Sequence, residues 1–428
     1  MISTRVSRQQ KLSGLTAFAI LAITFAGAPG ARAQETVLYS FGSEASDGVL
    51  PYAGVAFGSA GNLYGTTAFG GGTGCFGSGC GIVFKLTPQA GGGWAETMLH
   101  NFNDAEKDGH QPEASLAIDG AGNLYGTTSN GGAPGCGIVF ELSPQSGGSW
   151  TYAVLHAFDG SGTDGCAPLA NVILDGSGNL YGTTLIGGTH GLGTAFELSP
   201  SVGGHWTEKL LHAFGNGTDG QYPTAALVFD GAGNLYGATE SGGEANVDDA
   251  GTVFELVPQT DGSWRQQLIA KFALDTSGPQ APAGTLVFDA AGNLYGTSIG
   301  GGSFSSGTVF EVSPKTGGGW NTTILHDFEE NVIGEGWQPT AGVVLDDLGN
   351  IYGATPYGGS SSQPGGMVFK LSQSGVSWTE TILYTFGSHS DDGRIPLGGV
   401  ILDNAGNIYG TTVHGGAFKR GVIFQVTP

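Results

Sequence analysis

The pentapeptide Gly-Asn-Leu/Ile-Tyr-Gly occurs seven times in this chain, opening at Gly61, Gly122, Gly178, Gly233, Gly292, Gly349 and Gly406. Successive copies are 61, 56, 55, 59, 57 and 57 residues apart, the signature of a tandem array of supersecondary units. The phase of the array constrains it further. It begins with the last segment of a unit, Glu35-Thr-Val-Leu-Tyr-Ser-Phe41, and ends after the third, Gly421-Val-Ile-Phe-Gln-Val-Thr-Pro428. The two ends are complementary parts of one repeat.

Each repeat reads as four short strands. In the second, Pro112 to Asp119 is strand a, Asn123 to Thr128 strand b, Gly137 to Leu142 strand c, and Trp150 to Phe158 strand d. All are strand length and rich in β-branched and aromatic residues. Glycine is 81 of 428 residues, a level that without a period would suggest low complexity. Here it recurs at fixed places between the strands and marks turns. The seven strand-b tyrosines (Tyr64, Tyr125, Tyr181, Tyr236, Tyr295, Tyr352, Tyr409) and strand-c phenylalanines (Phe84, Phe140, Phe196, Phe254, Phe310, Phe369, Phe424) are the large apolar groups of each unit. They need partners that neighbouring units can supply.

A four-stranded sheet repeated radially is a β-propeller blade. We therefore expect an all-β, seven-bladed propeller over residues 34–428, closed by the N-terminal strand completing the C-terminal blade. An open solenoid would instead need atypical polar caps, and the terminal repeats are typical. Strand a opens with small residues (Ala53-Gly54, Ala225-Ala226, Ala341-Gly342, Gly398-Gly399) and is expected to line a central channel. The a-to-b connection is Asp-x-x-Gly-Asn in six copies, with Gly58 in place of Asp in the first. It reads as a tight hairpin and not as a calcium loop, which needs several spaced acidic ligands.

These motifs in this order, Asp-x-x-Gly-Asn-Leu-Tyr-Gly-Thr-Thr-x-x-Gly-Gly, then Gly-x-Val-Phe-x-Leu-x-Pro and a Trp-to-His-x-Phe strand, resemble the GloVer tandem-repeat family of exported bacterial proteins. The resemblance covers residues 35–428 and implies an envelope or secreted location without an established activity. Many members carry a C-terminal sorting anchor; this chain ends at Pro428 inside the repeat, so none is expected. A weaker similarity runs to NHL and gluconolactonase-like propellers, which share Asp-x-x-Gly-Asn-x-Tyr between their inner strands. That similarity implies a divalent metal at the channel mouth. Only Glu113 and Asn171 follow the strand-a prolines as possible oxygen ligands, short of the six to eight that calcium takes, so no metal or other cofactor is expected.

Residues 1–33 read as a secretory signal: Arg5, Arg8 and Lys11 precede an apolar run from Leu15 to Ala26, then Ala31-Arg32-Ala33. That run is too short to span a bilayer, so export to the periplasm or beyond, without membrane insertion, is expected. The formal charge is −22; cleavage removes four basic and no acidic residues and takes it to −26. Such a surface repels phosphate backbones, which excludes nucleic acid as a partner, and the acidity itself suits a soluble exported monomer. Cys75, Cys80, Cys136 and Cys166 permit three pairings and suit an oxidising compartment. Loop proximity favours 75 with 80 and 136 with 166.

In a four-stranded blade the d-to-a and b-to-c connections share one face, and there the sequence varies. Six d-to-a loops carry Asp/Glu-Gly-x-x-Pro, giving Asp47, Asp108, Asp164, Asp219, Glu335 and Asp392; the remaining one reads Ser277-Gly278-Pro279. These acids form either a ligand-attracting ring or turn formers. Non-repeated residues are better candidates: Glu106, Lys107, His110, His190, Glu240, Glu244, Asp248, Asp249, Glu329, Glu330, Trp337, His389, Arg394, His414, Lys419 and Arg420. Blades six, seven and one are neighbours in a closed ring, which groups Trp337, Glu335, His389, Asp392, Arg394 and His414, with His110 one blade further. Trp337 is expected to be exposed, since other repeats place unrelated residues there. An exposed aromatic beside acids and a cation suits carbohydrate. The expected role is binding of carbohydrate or an envelope protein, with a glycan hydrolase or lyase using loop carboxylates as the alternative. His100, His156, His212 and His326 share one strand-d position with Tyr39, Ala270 and Tyr384, a substitution pattern that suits packing better than metal ligation.

Overall fold

The computed structural model describes residues 33–428 apart from 106, 244–249, 275–277, 331 and 360–364. The proposed signal segment up to Arg32, and the loop candidates Glu106, Glu244, Asp248 and Asp249, lie outside the described residues. The rest is all-β, apart from single turns at Ser59–Gly61 and Gly74–Gly77. Seven four-stranded antiparallel blades follow one another. In blade one, strand a is Ala56–Phe57, b is Leu63–Thr67, c is Ile82–Pro88 and d is Trp94–Asn101. In blade seven, strands Ile401–Leu402, Ile408–Thr412 and Val422–Thr427 take Gln34–Ser40 as their fourth. That strand pairs antiparallel from Gln34 opposite Thr427 to Ser40 opposite Val422, so the ring closes by joining the two ends of the array.

The apolar core is not inside the blades but between them. The phenylalanine that ends strand d of each blade meets the strand-c phenylalanine of the next: Phe41–Phe84, Phe102–Phe140, Phe158–Phe196, Phe214–Phe254, Phe272–Phe310, Phe328–Phe369 and Phe386–Phe424. Ring centroids are 4.9 to 5.4 Å apart, at steep angles, the edge-to-face geometry that ring quadrupoles favour. All fourteen rings are buried. The strand-b glycine after each tyrosine exists for the strand-c ring. A Cβ on Gly65, Gly126, Gly182, Gly237, Gly296, Gly353 or Gly410 would stand 2.5 to 2.7 Å from that ring's Cζ. Behind it, the strand-d tryptophans Trp150, Trp206, Trp264 and Trp320 lean on Tyr64, Tyr125, Tyr181 and Tyr236 of the preceding blade.

Strand a departs from the sequence reading. Of the expected Pro112 to Asp119, only Ala117–Ile118 pairs with strand b. The backbone before it is engaged elsewhere: the Ala114 carbonyl accepts Thr66 Oγ1 of the preceding blade at 3.0 Å. Thr127, Thr183, Thr297 and Thr411 reach the carbonyls of Ala170, Ala225, Ala341 and Ala53 in the same way. These segments do line a central channel, a cavity of about 580 Å³. It is pinched where backbones meet, since a Cβ on Gly54 would lie 2.5 Å from the Gly399 carbonyl oxygen.

The a-to-b turns are as expected. Asp119 takes the amides of Ala121 and Asn123, Asn123 Nδ2 and the Tyr125 hydroxyl, all within 3.2 Å, and the other five copies repeat this set. Burial works to raise Asp119, but these donors outweigh it and hold the carboxyl below its ordinary value. Blade one has Gly58 because a Cβ there would lie 2.3 Å from the Tyr64 ring.

Two of the elements that close the ring, the N-terminal strand and the Phe41–Phe84 contact, can be removed separately. Deleting Glu35 to Phe41 should strip blade seven of its outer strand, expose that edge and produce aggregation; Phe41→Ala alone should cost about 3–5 kcal/mol. Melting and sedimentation of the two variants check this. A truncated protein with the parent's melting temperature and sedimentation would refute closure by the N-terminal strand.

Candidate functional site

The variable face carries a feature that the sequence reading missed. In five blades the residues after the d-to-a acid pair with those just beyond strand b as a two-residue antiparallel ribbon; blade four keeps the single bridge Gln221–Ser241, and in blade five, whose loop has no acid at that place, the pairing is continuous with strand b. Opposed residues at the second ribbon position are Val49 and Phe69, His110 and Asn130, Cys166 and Ile186, Gln221 and Ser241, Gln280 and Gly300, Trp337 and Tyr357, Arg394 and His414. Four of the residues singled out in sequence, His110, Trp337, Arg394 and His414, therefore occupy equivalent places.

Each ribbon is anchored by an unusual residue. Leu50, Gln111, Ala167, Tyr222, Ala281, Gln338 and Ile395, each just before a proline, all have φ between 53° and 61°. This left-handed conformation is uncommon outside glycine, and proline further restricts the residue before it. What holds it is a hydrogen bond from that residue's N–H to a b-to-c loop carbonyl of the preceding blade, at 2.7 to 3.0 Å in all seven cases. The disulfides act on the same face. Cys75 is bonded to Cys80 within one b-to-c loop, and Cys136 to Cys166 across two blades.

Trp337 is not the free-standing exposed ring expected. It is half-buried and stacks on Tyr357, centroids 4.5 Å apart and planes at 24°, because the ribbon puts the two aromatics directly opposite. His414 is exposed and Arg394 half-buried in the next ribbon. Next to the blade-seven ribbon, the Ile395 N–H donates to the Gly365 carbonyl in the b-to-c loop of blade six at 2.7 Å. His389 is exposed in the adjoining loop, and Lys419 Nζ holds that loop by the Ser390 carbonyl. His110 belongs to the ribbon of blade two.

Glu335 and Asp392 are not on the ribbons but at blade junctions, and the ring of loop acids is structural. Asp47, Asp108, Asp164, Asp219 and Asp392 are all buried. The His/Tyr position of the preceding strand d faces each of them. Tyr39 and Tyr384 donate to Asp47 and Asp392 at 3.1 Å. His156 and His212 lie 3.3 and 2.9 Å from Asp164 and Asp219, and His100 3.5 Å from Asp108. Each of these imidazoles, like His326, meets its strand's phenylalanine edge-on at 4.7 Å, which is the packing role expected. A third residue closes the junction from the next blade's strand d. Tyr152 donates to Asp108 at 2.7 Å, Gln266 to the Asp219 carbonyl at 3.3 Å, and Glu96, Glu208, Glu380 and Glu35 take the same strand position. One junction lacks the set: Ala270, Gly278 and Thr322 stand where a His/Tyr, an acid and a long polar residue stand elsewhere.

Paired carboxyls at these junctions are forced out of their ordinary range. Burial, then Asp392, pushes Glu35 up to about 7. Burial and Asp47 do the same to Glu96, and burial and Asp164 to Glu208, against the opposing pull of His156. At Asp108 burial also acts upward, but the hydrogen bonds from His100 and Tyr152 prevail and lower it. On the channel wall, burial raises Glu113 and, with Glu113's charge, Tyr52. Asn171 Nδ2 is turned to the Val172 carbonyl at 3.3 Å.

The family model of the Gloeobacter/Verrucomicrobia repeat matches residues 23–249 and 247–428, and the chain belongs to that family. No curated protein matches it. Among solved structures it is similar to PorZ, an essential surface component of the type-IX secretion system of Porphyromonas gingivalis, at 14% identity and TM-score 0.50, over 91% of this chain and 47% of that one. It is also similar to the extracellular domain of a putative one-component system from B. thetaiotaomicron, at 12% identity and TM-score 0.50, over 92% of this chain and 42% of that one. The periplasmic gluconolactonase of Pseudomonas aeruginosa aligns at 15% identity and TM-score 0.49, over 85% and 96%. This chain spans less than half of the first two, and at these identities the likeness is one of fold.

The junctions make two tests. His212→Ala leaves buried Asp219 without its imidazole and should cost about 1–3 kcal/mol, and Ala270→His, which places an imidazole where no acid faces it, should destabilise as well. No loss of stability in His212→Ala would mean that the His/acid pairing contributes nothing. The second test is pH. Glu35, Glu96 and Glu208 titrate near 7 when folded and near 4.5 when unfolded, so the folded chain holds more protons between those values. Their contribution is complete below about pH 4.5 and lost as pH rises through about 7. The melting temperature should fall between pH 5 and 8, and replacing all three with Gln should flatten that fall; a parent curve flat over the window refutes the assignment.

Proposed function

We propose that this protein is an exported, non-enzymatic binding module whose ligand docks on the ribbon face at blades six, seven and one. The observation that carries the reading is that non-repeated aromatic, cationic and imidazole side chains occupy one equivalent ribbon position: Trp337 stacked on Tyr357, and beside them Arg394 opposite His414. A paired aromatic surface next to hydrogen-bond donors suits the apolar face and hydroxyls of a sugar ring, so carbohydrate is the ligand class we assign, with an envelope protein as the other possible occupant. Two disulfides support export to the periplasm or beyond. Hydrolysis needs two carboxyls free to face a scissile bond; the buried ring acids are instead turned into the junctions, which favours binding.

A glycan array probed with the purified protein, scored for retention and for cleavage, tests the reading. Trp337→Ala should weaken binding of the retained glycan at least tenfold. Its cost in stability should be only the value of an aromatic pair, about 0.5–1.5 kcal/mol. Unaltered binding by this variant would remove Trp337 from the site, and cleavage lost with single acidic substitutions would favour the enzyme.

A further inference from the structure

The junction between blades five and six differs from its five polar counterparts. Its loop acid is Glu335 where the others have aspartate, and the extra methylene changes what the carboxylate can reach. Each aspartate is tied down by loop amides: Asp47 by Gly42 and Ser43, Asp108 by Asn103, Asp164 by Asp159, Asp219 by Gly215 and Asp392 by Ser388. Glu335 Oε2 has no such donor among the described residues. It points instead to His326 Nε2 at 3.7 Å, and Glu380 Oε1 approaches the same nitrogen at 3.6 Å. All three atoms are buried and without a hydrogen-bond partner, and the Glu380 side chain is only 9% exposed. Three polar atoms without a hydrogen bond, two of them on acids and joined to the imidazole only by long ion-pair contacts, are a costly arrangement for a structure to keep.

We propose that His326, Glu335 and Glu380 bind a divalent transition-metal cation, with zinc the natural probe. Ligand atoms at the usual Zn–N and Zn–O distances, arranged tetrahedrally, stand roughly 3.3–3.5 Å apart. The observed 3.6 and 3.7 Å are slightly wider than that edge, a gap that a small side-chain rotation closes, and are too long for hydrogen bonds. The ligand set comes within 4.8 Å all round. At the junctions of blades two and three and of three and four, by contrast, His156 and His212 are spent on Asp164 and Asp219 at 3.3 and 2.9 Å, although Glu208 stands near the first pair. Two carboxylates neutralise a divalent ion, imidazole suits a borderline-soft one, and the Glu335 side chain, 27% exposed, leaves room for water as fourth ligand. His326 lies on strand d of blade five, Trp320–Asp327, and Glu380 on strand d of blade six, Ser377–Thr385. The ion is thus a staple between two blades, independent of any ligand on the ribbon face.

The test uses untagged purified protein stripped with EDTA and titrated with zinc against a chromophoric chelator. One equivalent should bind, raise the melting temperature, and be lost in His326→Gln and Glu380→Gln. Cobalt(II) in its place should give the intense visible absorption of a tetrahedral site. Glu335→Asp guards against a folding artefact: it recreates the junction of the other blades, so it should keep the metal-free melting temperature yet lose the zinc. No bound equivalent, or binding that survives His326→Gln, or a pale octahedral cobalt spectrum overturns the proposal.

Discussion

Everything in this structure depends on a phenylalanine of one blade meeting a phenylalanine of the next. A four-stranded blade of fifty-odd residues has no interior of its own, so its apolar groups are buried only by a neighbour. Seven edge-to-face pairs do this around the ring, and the last of them, Phe41 against Phe84, requires the N-terminal strand to be in place. The strand-b glycines follow from the same contact, because only a residue without Cβ lets the strand-c ring lie flat across the backbone. The repeated pentapeptide is therefore a packing rule written along the chain.

Outside this apolar layer lies a polar one that follows the same order of blades. At six junctions an acid from the loop is faced by a His or Tyr on one strand d, and a Glu, Tyr or Gln stands on the next. Where the acid is missing, the other two positions fall to Ala270 and Thr322 together. Three changes at one junction, in segments separated by tens of residues, indicate a unit that is present or absent as a whole; an imidazole with no carboxylate to face would be a buried polar group without compensation.

The fold was legible because its determinants recur. Seven copies of Tyr-Gly-Thr-Thr and of Val-Phe average out local ambiguity, and the split repeat at the two ends identified closure. The cysteine pairing was legible too, since loop position limits which sulfurs meet. The length of strand a was not, because a run of apolar residues does not reveal that its carbonyls are taken by a threonine of the preceding blade. Nor were the ribbons: they pair two residues on each side, below the length at which alternation can be read. Tyr357 was overlooked for that reason, as only the ribbon brings it to Trp337. The junction triads carried a weak signal in the joint variation of His100, Asp108 and Tyr152 with their counterparts, which becomes visible once strand-d positions are aligned.

These layers leave few places for the sequence to vary. The phenylalanines, glycines, a-to-b aspartates and junction residues are each committed to a contact with the next blade or the next strand. The residue before each proline contributes only backbone: its N–H bonds a carbonyl of the previous blade, and the position accepts Leu, Gln, Ala, Tyr and Ile with φ near 60° throughout. Strain that recurs in all seven blades belongs to the architecture and not to a catalytic centre. Its effect is to fix each ribbon against its neighbour, so that the opposed pair on the ribbon is displayed on rigid backbone while its chemistry stays unconstrained. A surface built this way loses little conformational freedom when a ligand arrives. That physical reason is why the proposed ligand is assigned to the ribbon face and not to the pinched, small-residue channel.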